Sequence, residues 1–346
     1  MATLQELLSR LVEHEDLTAE DTAAVMDSIL TDSASPVAVA AFLAALRVKR
    51  ETAHEVAGLV DAMLQHAHPL KVTGRSVDVV GTGGDGYNTV NISTMAALVV
   101  AGTGLKVVKH GNRGATSKTG GADVLGALGI RLDLPPERVG EIADEVGITF
   151  AFAQTFHPSM RFAMPIRKEI GVPTTFNILG PLANPAQPEA SAIGCSSLRV
   201  APVMAGVLAE RGREGLVFHG DDGMDELSPT GAATMWEVRA GGVTELRLDP
   251  IADLGFTRIT VQDLVGGEAE ENAAVVREVL AGGRGPVRDT VLLNAAAGLV
   301  ADGTLHGTSS GTIVERFAAG LELAEAALDA GKPAEMLEKW VAASQS

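Results

Sequence analysis

Three short stretches of this 346-residue chain bring together the residue types that grip phosphates. Gly81-Thr-Gly-Gly-Asp-Gly86 follows a β-branched run, Val77-Asp-Val-Val80. Its spacing is not that of the dinucleotide fingerprint, and it lacks the Gly-Lys-Ser/Thr ending of a P-loop. It is either a cradle for phosphate or ribose, or a bare strand-to-helix turn that uses glycine for its backbone. Asn91-Ile-Ser-Thr94 opens the next helical run. These are ordinary N-cap residues, and beside the free N–H groups of a helix start they also make an anion site. Lys109-His-Gly-Asn-Arg113 follows a second β-branched run, Leu105-Lys-Val-Val108, with Thr116, Ser117 and Lys118 close behind. A lysine and an arginine at the C-terminal edge of a sheet, separated by glycine, suit an oligophosphate.

The charge map ties the three together. Between Asp85 and Asp123 the chain runs 37 residues without an acid, although 44 of its 346 residues are Asp or Glu. Lys106, Lys109, Arg113 and Lys118 sit in that gap beside His110. Twelve of the 39 glycines fall between Gly81 and Gly129. In a chain of formal charge −17, a locally cationic stretch rich in glycine and hydroxyls is where a strongly anionic small molecule would dock.

Acids gather elsewhere, in Gly220-Asp-Asp-Gly-Met-Asp-Glu-Leu-Ser228. This is either a solvated loop or, through Asp225 and Glu226, an oxygen-rich site for a hard divalent cation. Magnesium there would bridge to a diphosphate gripped by the cationic stretch. A further patch runs from Phe156-His-Pro-Ser-Met-Arg161 to Arg167-Lys168, and then through Thr175-Phe-Asn-Ile-Leu-Gly-Pro-Leu-Ala-Asn-Pro185. Arg161 and Arg167 are expected on one helix, where the bland reading is a surface arginine. The apolar Asn177–Leu182 stretch, with its two helix breakers, suggests a buried turn or hinge.

Two kinds of element must hold these residues. The first 70 residues read as four helices. Leu4, Leu7, Leu8, Leu11 and Val12 have amphipathic spacing. Thr18 to Asp21 and Thr52 to Glu55 look like capping boxes, and Ser35-Pro36 like an N-cap with a first-turn proline. From residue 72 the pattern changes to short apolar strands ended by glycine, at 77–80, 105–108, 148–153, 190–195 and 216–219, with helical runs at 93–101, 136–146 and 199–211. Helices return at about 267–281, 287–301, 311–330 and 333–343. Strand, helix, strand with glycine at the strand's end is the pattern of a parallel α/β sheet, which binds ligands beyond its C-terminal strand ends. The expected architecture is α/β: a small all-helical N-terminal domain, residues 1–71, joined by helices around 159–185. A larger domain, residues 72–346, would carry a mainly parallel sheet flanked by helices.

Composition narrows the function. Hydrophobic residues at 46% permit a large core, and 27 basic against 44 acidic residues repel phosphate backbones and anionic lipid. Neither a nucleic-acid nor a membrane partner is expected. The single cysteine, Cys195, allows no intrachain disulfide and reads as core. With no secretory signal or spanning segment in the sequence, the expected location is the cytoplasm.

Taken together, GTGGD at 81–85, NxST at 91–94, KHGNR at 109–113, ADVLGALG at 122–129, FNILGPLxNP at 176–185 and DGMDELSP at 222–229 resemble the anthranilate phosphoribosyltransferase family. The motifs stand in the family's order, and the helical ends fit the remainder. The resemblance implies a homodimer and a cleft between a helical and an α/β domain. It also implies Mg2+, and transfer of a phosphoribosyl group from 5-phosphoribosyl 1-pyrophosphate to anthranilate in tryptophan biosynthesis. Carried over by motif, Gly81, Gly84, Asp85, Thr89, Asn91, Ile92, Ser93, Thr94 and Lys109 would contact the phosphoribosyl donor. So would the run His110, Gly111, Asn112, Arg113, Gly114, Ala115, Thr116 and Ser117. Ser93, Asp225 and Glu226 would hold the metal, and Asn112 and Arg167 the anthranilate, with His110, His157 and Pro181 along its approach. Lys109 and Arg167 would act electrostatically, and no catalytic nucleophile is required.

Two departures from the family pattern stand out. Gly121 sits where many members carry a serine, leaving only a backbone contact, and Arg113-Gly-Ala-Thr116 replaces Arg-Ala-Val-Ser while keeping a hydroxyl. Two rival readings remain at this point. A nucleoside phosphorylase of related fold would use free phosphate, which the Asp225-Glu226 pair argues against. A nucleic-acid-binding relative should be basic.

Overall fold

The structure, a computed structural model, describes residues 2–114 and 118–346. Four helices come first: α1 (Leu4–Val12), α2 (Ala19–Leu30), α3 (Pro36–Lys49) and α4 (Ala53–Gln65). Thr18 and Thr52 close the capping boxes read from the sequence, accepting the backbone N–H of Asp21 and Glu55. Ser35 takes the N-cap position of α3 without a side-chain bond, and Pro36 fixes the first turn. Helices α2 and α4 pack closely because Gly58 leaves room for the Ala19 carbonyl. The fully buried Glu55 locks the group together, accepting from the Leu17 N–H at 2.9 Å and from Lys49 Nζ at 2.8 Å.

The remaining chain winds a seven-stranded sheet in the order β3-β2-β1-β4-β5-β6-β7. The strands are β1 (Val77–Gly81), β2 (Val107–Gly111), β3 (Ile148–Phe152), β4 (Ala190–Gly194), β5 (Glu214–Gly220), β6 (Ala233–Arg239) and β7 (Gly242–Leu248). The five strands β1 to β5 run parallel, and β6 and β7 add an antiparallel edge. Sequence reasoning found the five parallel strands and missed the edge hairpin. Four strand ends that reach the same side of the sheet are glycines: Gly81, Gly111, Gly194 and Gly220.

Helices α5 (Ile92–Gly102), α6 (Gly121–Ala127), α7 (Pro136–Val146), α8 (Ala153–Phe156), α9 (Ala163–Ile170), α10 (Phe176–Leu182), α11 (Ala201–Glu210) and α12 (Pro250–Leu254) connect the strands or follow them. The chain closes with α13 (Ala269–Leu280), α14 (Pro286–Asp302), α15 (Ile313–Asp329) and α16 (Lys332–Gln345). Side chains alternate across the sheet as strand geometry requires. Val77 and Val79 join the core under α5 and α14. Val80, Ile193, Val217 and Trp236 join a second core that includes α11 and reaches into the first four helices.

Three local expectations are corrected. Arg161 lies in a 3-10 turn, Pro158–Phe162, and Arg167 lies in α9, so the two do not share a helix. The Phe176–Leu182 stretch is a short helix with Pro181 inside it rather than a turn, and five of its seven residues are buried. Lys109, His110 and Gly111 belong to β2 itself instead of following it.

Candidate active site

The sheet's C-terminal edge assembles the groups that were scattered along the sequence. The Gly81–Gly86 loop leaves β1 and meets the acidic loop leaving β5. The N–H of Gly83 donates to Asp225 Oδ2 at 2.6 Å, the Tyr87 hydroxyl donates to the Asp222 carbonyl at 2.6 Å, and the Thr89 hydroxyl donates to Glu226 Oε1 at 3.4 Å. This contact is possible because two strand ends lack side chains. A Cβ on Gly194 would run into the Asp225 carbonyl, and one on Gly81 into the Asp225 carboxylate.

The result is a group of three acids. One carboxylate oxygen each from Asp85, Asp225 and Glu226 lies within 4.8 Å of the others. Burial pushes the Asp225 carboxyl up to about 7, helped by the neighbouring Asp85 charge. Glu226 is raised by burial and then by Asp225 and Asp85. Asp85 Oδ2 and Glu226 Oε2 are buried and have no hydrogen-bond partner. Three acids facing one another with unused oxygens call for a hard cation, and an all-oxygen donor set suits Mg2+. Sequence reasoning named Asp225 and Glu226 and placed Asp85 among the donor contacts. No spacing rule links residues 85 and 225, so only the fold could show the third acid.

Helix α5 begins beside them with an uncommon start. Asn91 stands at its N-cap without capping it. Its amide instead donates to the Thr119 carbonyl at 3.2 Å and its carbonyl oxygen accepts from Asn272 at 2.9 Å. The Thr94 hydroxyl, buried and without a partner, lies under Gly121, where a Cβ would sit 3.6 Å from it. Ile92 is fully buried, so only its backbone can serve a ligand.

Lys109 reaches into the same corner. Its side chain is buried on strand β2, and Nζ donates to the Val79 carbonyl at 2.6 Å and to Ser93 Oγ at 3.1 Å. Burial pulls the ammonium down to about 8, while Asp78, Asp225 and Glu226 act to keep it charged. The following residue, His110, is also buried. Burial first, then the neighbouring His157, pulls its imidazole down to about 3. Its Nδ1 bonds the Gly180 carbonyl at 2.9 Å and its Nε2 has no partner. The ring stands 5.2 Å from that of His157.

The loop after β2 is pinned by Asp123, which accepts from the Gly114 and Gly120 N–H groups and from Arg113, all at 2.9 Å. Asn112 is exposed, with its side-chain oxygen on the Arg113 N–H. Ala115, Thr116 and Ser117, named from the sequence, lie outside the described residues. Arg167 is half-buried on α9, with its guanidinium 5.3 Å from the centre of the Phe176 ring. Among the described residues no carboxylate pairs with it, and burial alone lowers its pKa. A desolvated, unpaired guanidinium over an aromatic ring is prepared for a planar carboxylate.

The helical bundle and the mainly parallel sheet are the two domains of a glycosyl transferase. The sequence matches the glycosyl transferase family's helical bundle domain over residues 5–67 and its a/b domain over residues 73–334. An Arthrobacter anthranilate phosphoribosyltransferase is 57% identical over 340 residues, which span 98% of this chain and 96% of that protein. The crystal structure of the Thermus thermophilus enzyme of that name superposes with a TM-score of 0.90 at 42% identity, covering 98% of this chain and 99% of that one. The Saccharomyces cerevisiae enzyme in complex with PRPP and Mg gives 0.87 at 29% identity, covering 99% and 98%. The chain belongs to the anthranilate phosphoribosyltransferase family.

Proposed function

We propose that the protein transfers the phosphoribosyl group of 5-phosphoribosyl 1-pyrophosphate to the amine of anthranilate, releasing pyrophosphate, in tryptophan biosynthesis. The observation that carries this reading is the set of unsatisfied buried atoms at one corner of the sheet. Of six such atoms among the described residues, Asp85 Oδ2, Thr94 Oγ1, His110 Nε2 and Glu226 Oε2 belong to residues already singled out in the sequence. Buried polar groups left without partners call for a ligand that fills them.

Asp85, Asp225 and Glu226, with Ser93, would hold Mg2+. Bound there, the ion would supply positive charge against the diphosphate leaving group. Lys109, the Gly81–Gly86 loop, the start of α5 from Asn91 to Thr94, and residues 111–117 hold the donor, with Gly121 giving backbone only. Arg167 pairs with the anthranilate carboxylate. An aromatic amine is neutral at pH 7 and needs no base before it attacks. His110, depressed to about 3, is a poor base and serves as a hydrogen-bond acceptor through Nε2. Catalysis then consists of aligning two substrates and stabilising the departing charge.

The protein acts as a cytoplasmic homodimer in this reading. Exposed Val12, Val37 and Val48 on α1 and α3 support a partner surface there, and no described helix is long and apolar enough to cross a membrane. The test is loss of anthranilate fluorescence on mixing with the donor and Mg2+. Arg167→Ala should raise the anthranilate KM by about tenfold or more, the worth of one lost charge-assisted bond, and leave donor affinity unchanged. Absence of wild-type turnover while the donor still binds would mean that the acceptor is a different amine.

A further inference from the structure

Asp78, the second residue of β1, is fully buried and forms no ion pair in contact among the described residues, though the Lys109 charge acts on it. Glu55, equally buried, closes on Lys49 at 2.8 Å. A carboxylate buried without a counter-ion in contact is destabilising unless its oxygens are filled. Both are filled, and each bond leads to the active site. Oδ1 accepts the backbone N–H of His110 at 3.3 Å, and Oδ2 accepts the side-chain amide of Asn184 at 2.9 Å. The same amide donates to the Val108 carbonyl at 2.8 Å, and Asn184 Oδ1 accepts the Ala186 N–H at 3.0 Å. Asn184 therefore fastens the chain leaving α10 to strands β1 and β2.

The residues just before Asn184 orient two rings. The carbonyl of Gly180 faces His110 Nδ1 and the carbonyl of Ala183 faces His157 Nε2, each at 2.9 Å. A carbonyl oxygen only accepts, so the protons sit on Nδ1 of His110 and Nε2 of His157. His110 Nε2 is left bare. We propose that Asp78 and Asn184 are positioning residues for the acceptor half of the reaction. By clamping the Gly180–Asn184 segment onto β1 and β2, they fix the His110 tautomer and the spacing of the two imidazoles. This inference deepens the transfer reaction proposed above and rests on it for its kinetic consequence.

The substitution Asp78→Asn sets the clamp against itself. The amide it introduces cannot accept from both His110 N–H and Asn184 Nδ2, so one bond becomes donor against donor. Combining Asp78→Asn with Asn184→Asp exchanges the two groups. The amide on β1 then donates to the carboxylate beyond α10 while still accepting from His110 N–H, at the cost of setting a carboxylate oxygen against the Val108 carbonyl.

The experiment uses the full chain and two readouts. Long-range 1H–15N imidazole spectra report which nitrogen of His110 carries the proton, assigned with His110→Asn among eight histidines. Steady-state kinetics give separate KM values for anthranilate and donor. In Asp78→Asn, His110 should lose its Nδ1–H preference. The anthranilate KM should rise by about tenfold, the usual penalty for losing a residue that orients a ligand-binding group; the donor KM is read in Asn184→Ala, which keeps the Asp78 charge that supports Lys109, and should stay within about twofold there. The exchanged pair should recover part of both. An unchanged His110 tautomer in a cooperatively melting Asp78→Asn protein overturns the proposal, as does an equal rise in both KM values in Asn184→Ala. If Asp78→Asn does not fold, Asn184→Ala, which frees the same segment and leaves β1 intact, carries the same readouts. If the wild type does not consume anthranilate, the transfer reading falls, and the spectra alone decide whether the clamp exists.

Discussion

Replacing Gly81 by alanine tests whether the acid group is assembled by the close approach of two loops. A Cβ at Gly81 would lie 3.1 Å from Asp225 Cγ and overlap Oδ2. The carboxylate has to withdraw by about 1 Å, and displacements of that size cost about 100-fold where geometry is demanding. The move also breaks the bond from the Gly83 N–H to Oδ2, now 2.6 Å, worth about 1.5–3 kcal/mol for a charged acceptor. The intruded atoms are the free end of a side chain, so the sheet itself is undisturbed. Thermal melts should therefore show little beyond the loss of that bond, about 1.5–3 kcal/mol. The Mg2+ concentration needed for half-maximal donor binding, measured by isothermal titration, should rise by about 10- to 100-fold. Gly194→Ala is the contrasting case, because its Cβ would strike the Asp225 backbone carbonyl. That variant should lose stability as well as metal dependence. Wild-type Mg2+ dependence in a folded Gly81→Ala protein would refute the reasoning.

Three further outcomes follow from the same contacts. Asp225 is raised to about 7 and Glu226 is raised too. Between the ordinary carboxylate range and pH 7 the folded state thus keeps protons that the unfolded chain has released, and the metal-free protein should lose stability as pH rises through that window. Mg2+ at about one hundred times its dissociation constant should return about 2.7 kcal/mol at pH 8 and much less near pH 5, and an equal shift in melting temperature at both would contradict this. Gly58→Ala, whose Cβ would press on the Ala19 carbonyl, should cost about 1–3 kcal/mol by overpacking with kinetics unchanged; a denaturant titration decides. Val37→Glu with Val48→Glu, at positions 79% and 73% exposed on α3, should halve the mass seen by sedimentation equilibrium, and a single wild-type-sized species in the variant would remove α3 from any dimer contact.

Much of this arrangement is legible in the residues, and the gaps have physical causes. Capping boxes at Thr18 and Thr52 and glycines after β-branched runs are local signals, and local structure obeyed them. The β6–β7 hairpin escaped because its tight turn is Ala240-Gly241, with φ of 48° and 77°. Such turns are ordinarily announced by Asn-Gly or Asp-Gly, and alanine at positive φ gives no such notice. Helix α10 was hidden by Gly180 and Pro181. The proline is tolerated because it sits in the last turn of a seven-residue helix, where it forfeits a single bond. Lysine is rarely buried, so Lys109 was placed beyond the strand when it is part of it. Asp78 carried no signal and Asn184 none beyond its place in the FNILGPLxNP motif, since a lone aspartate in a strand and an asparagine before proline gain their positioning role only once the chain has brought them together.

The four glycines that end β1, β2, β4 and β5 have an evolutionary consequence. A sheet that ends this way presents a floor on which β2 alone contributes recognising side chains, Lys109 and His110, and the other groups arrive on loops and helices above it. Discrimination between acceptors can then drift by substitution in those overhanging segments while the floor stays the same. The fold can exchange one nucleophile for another without renegotiating its foundation.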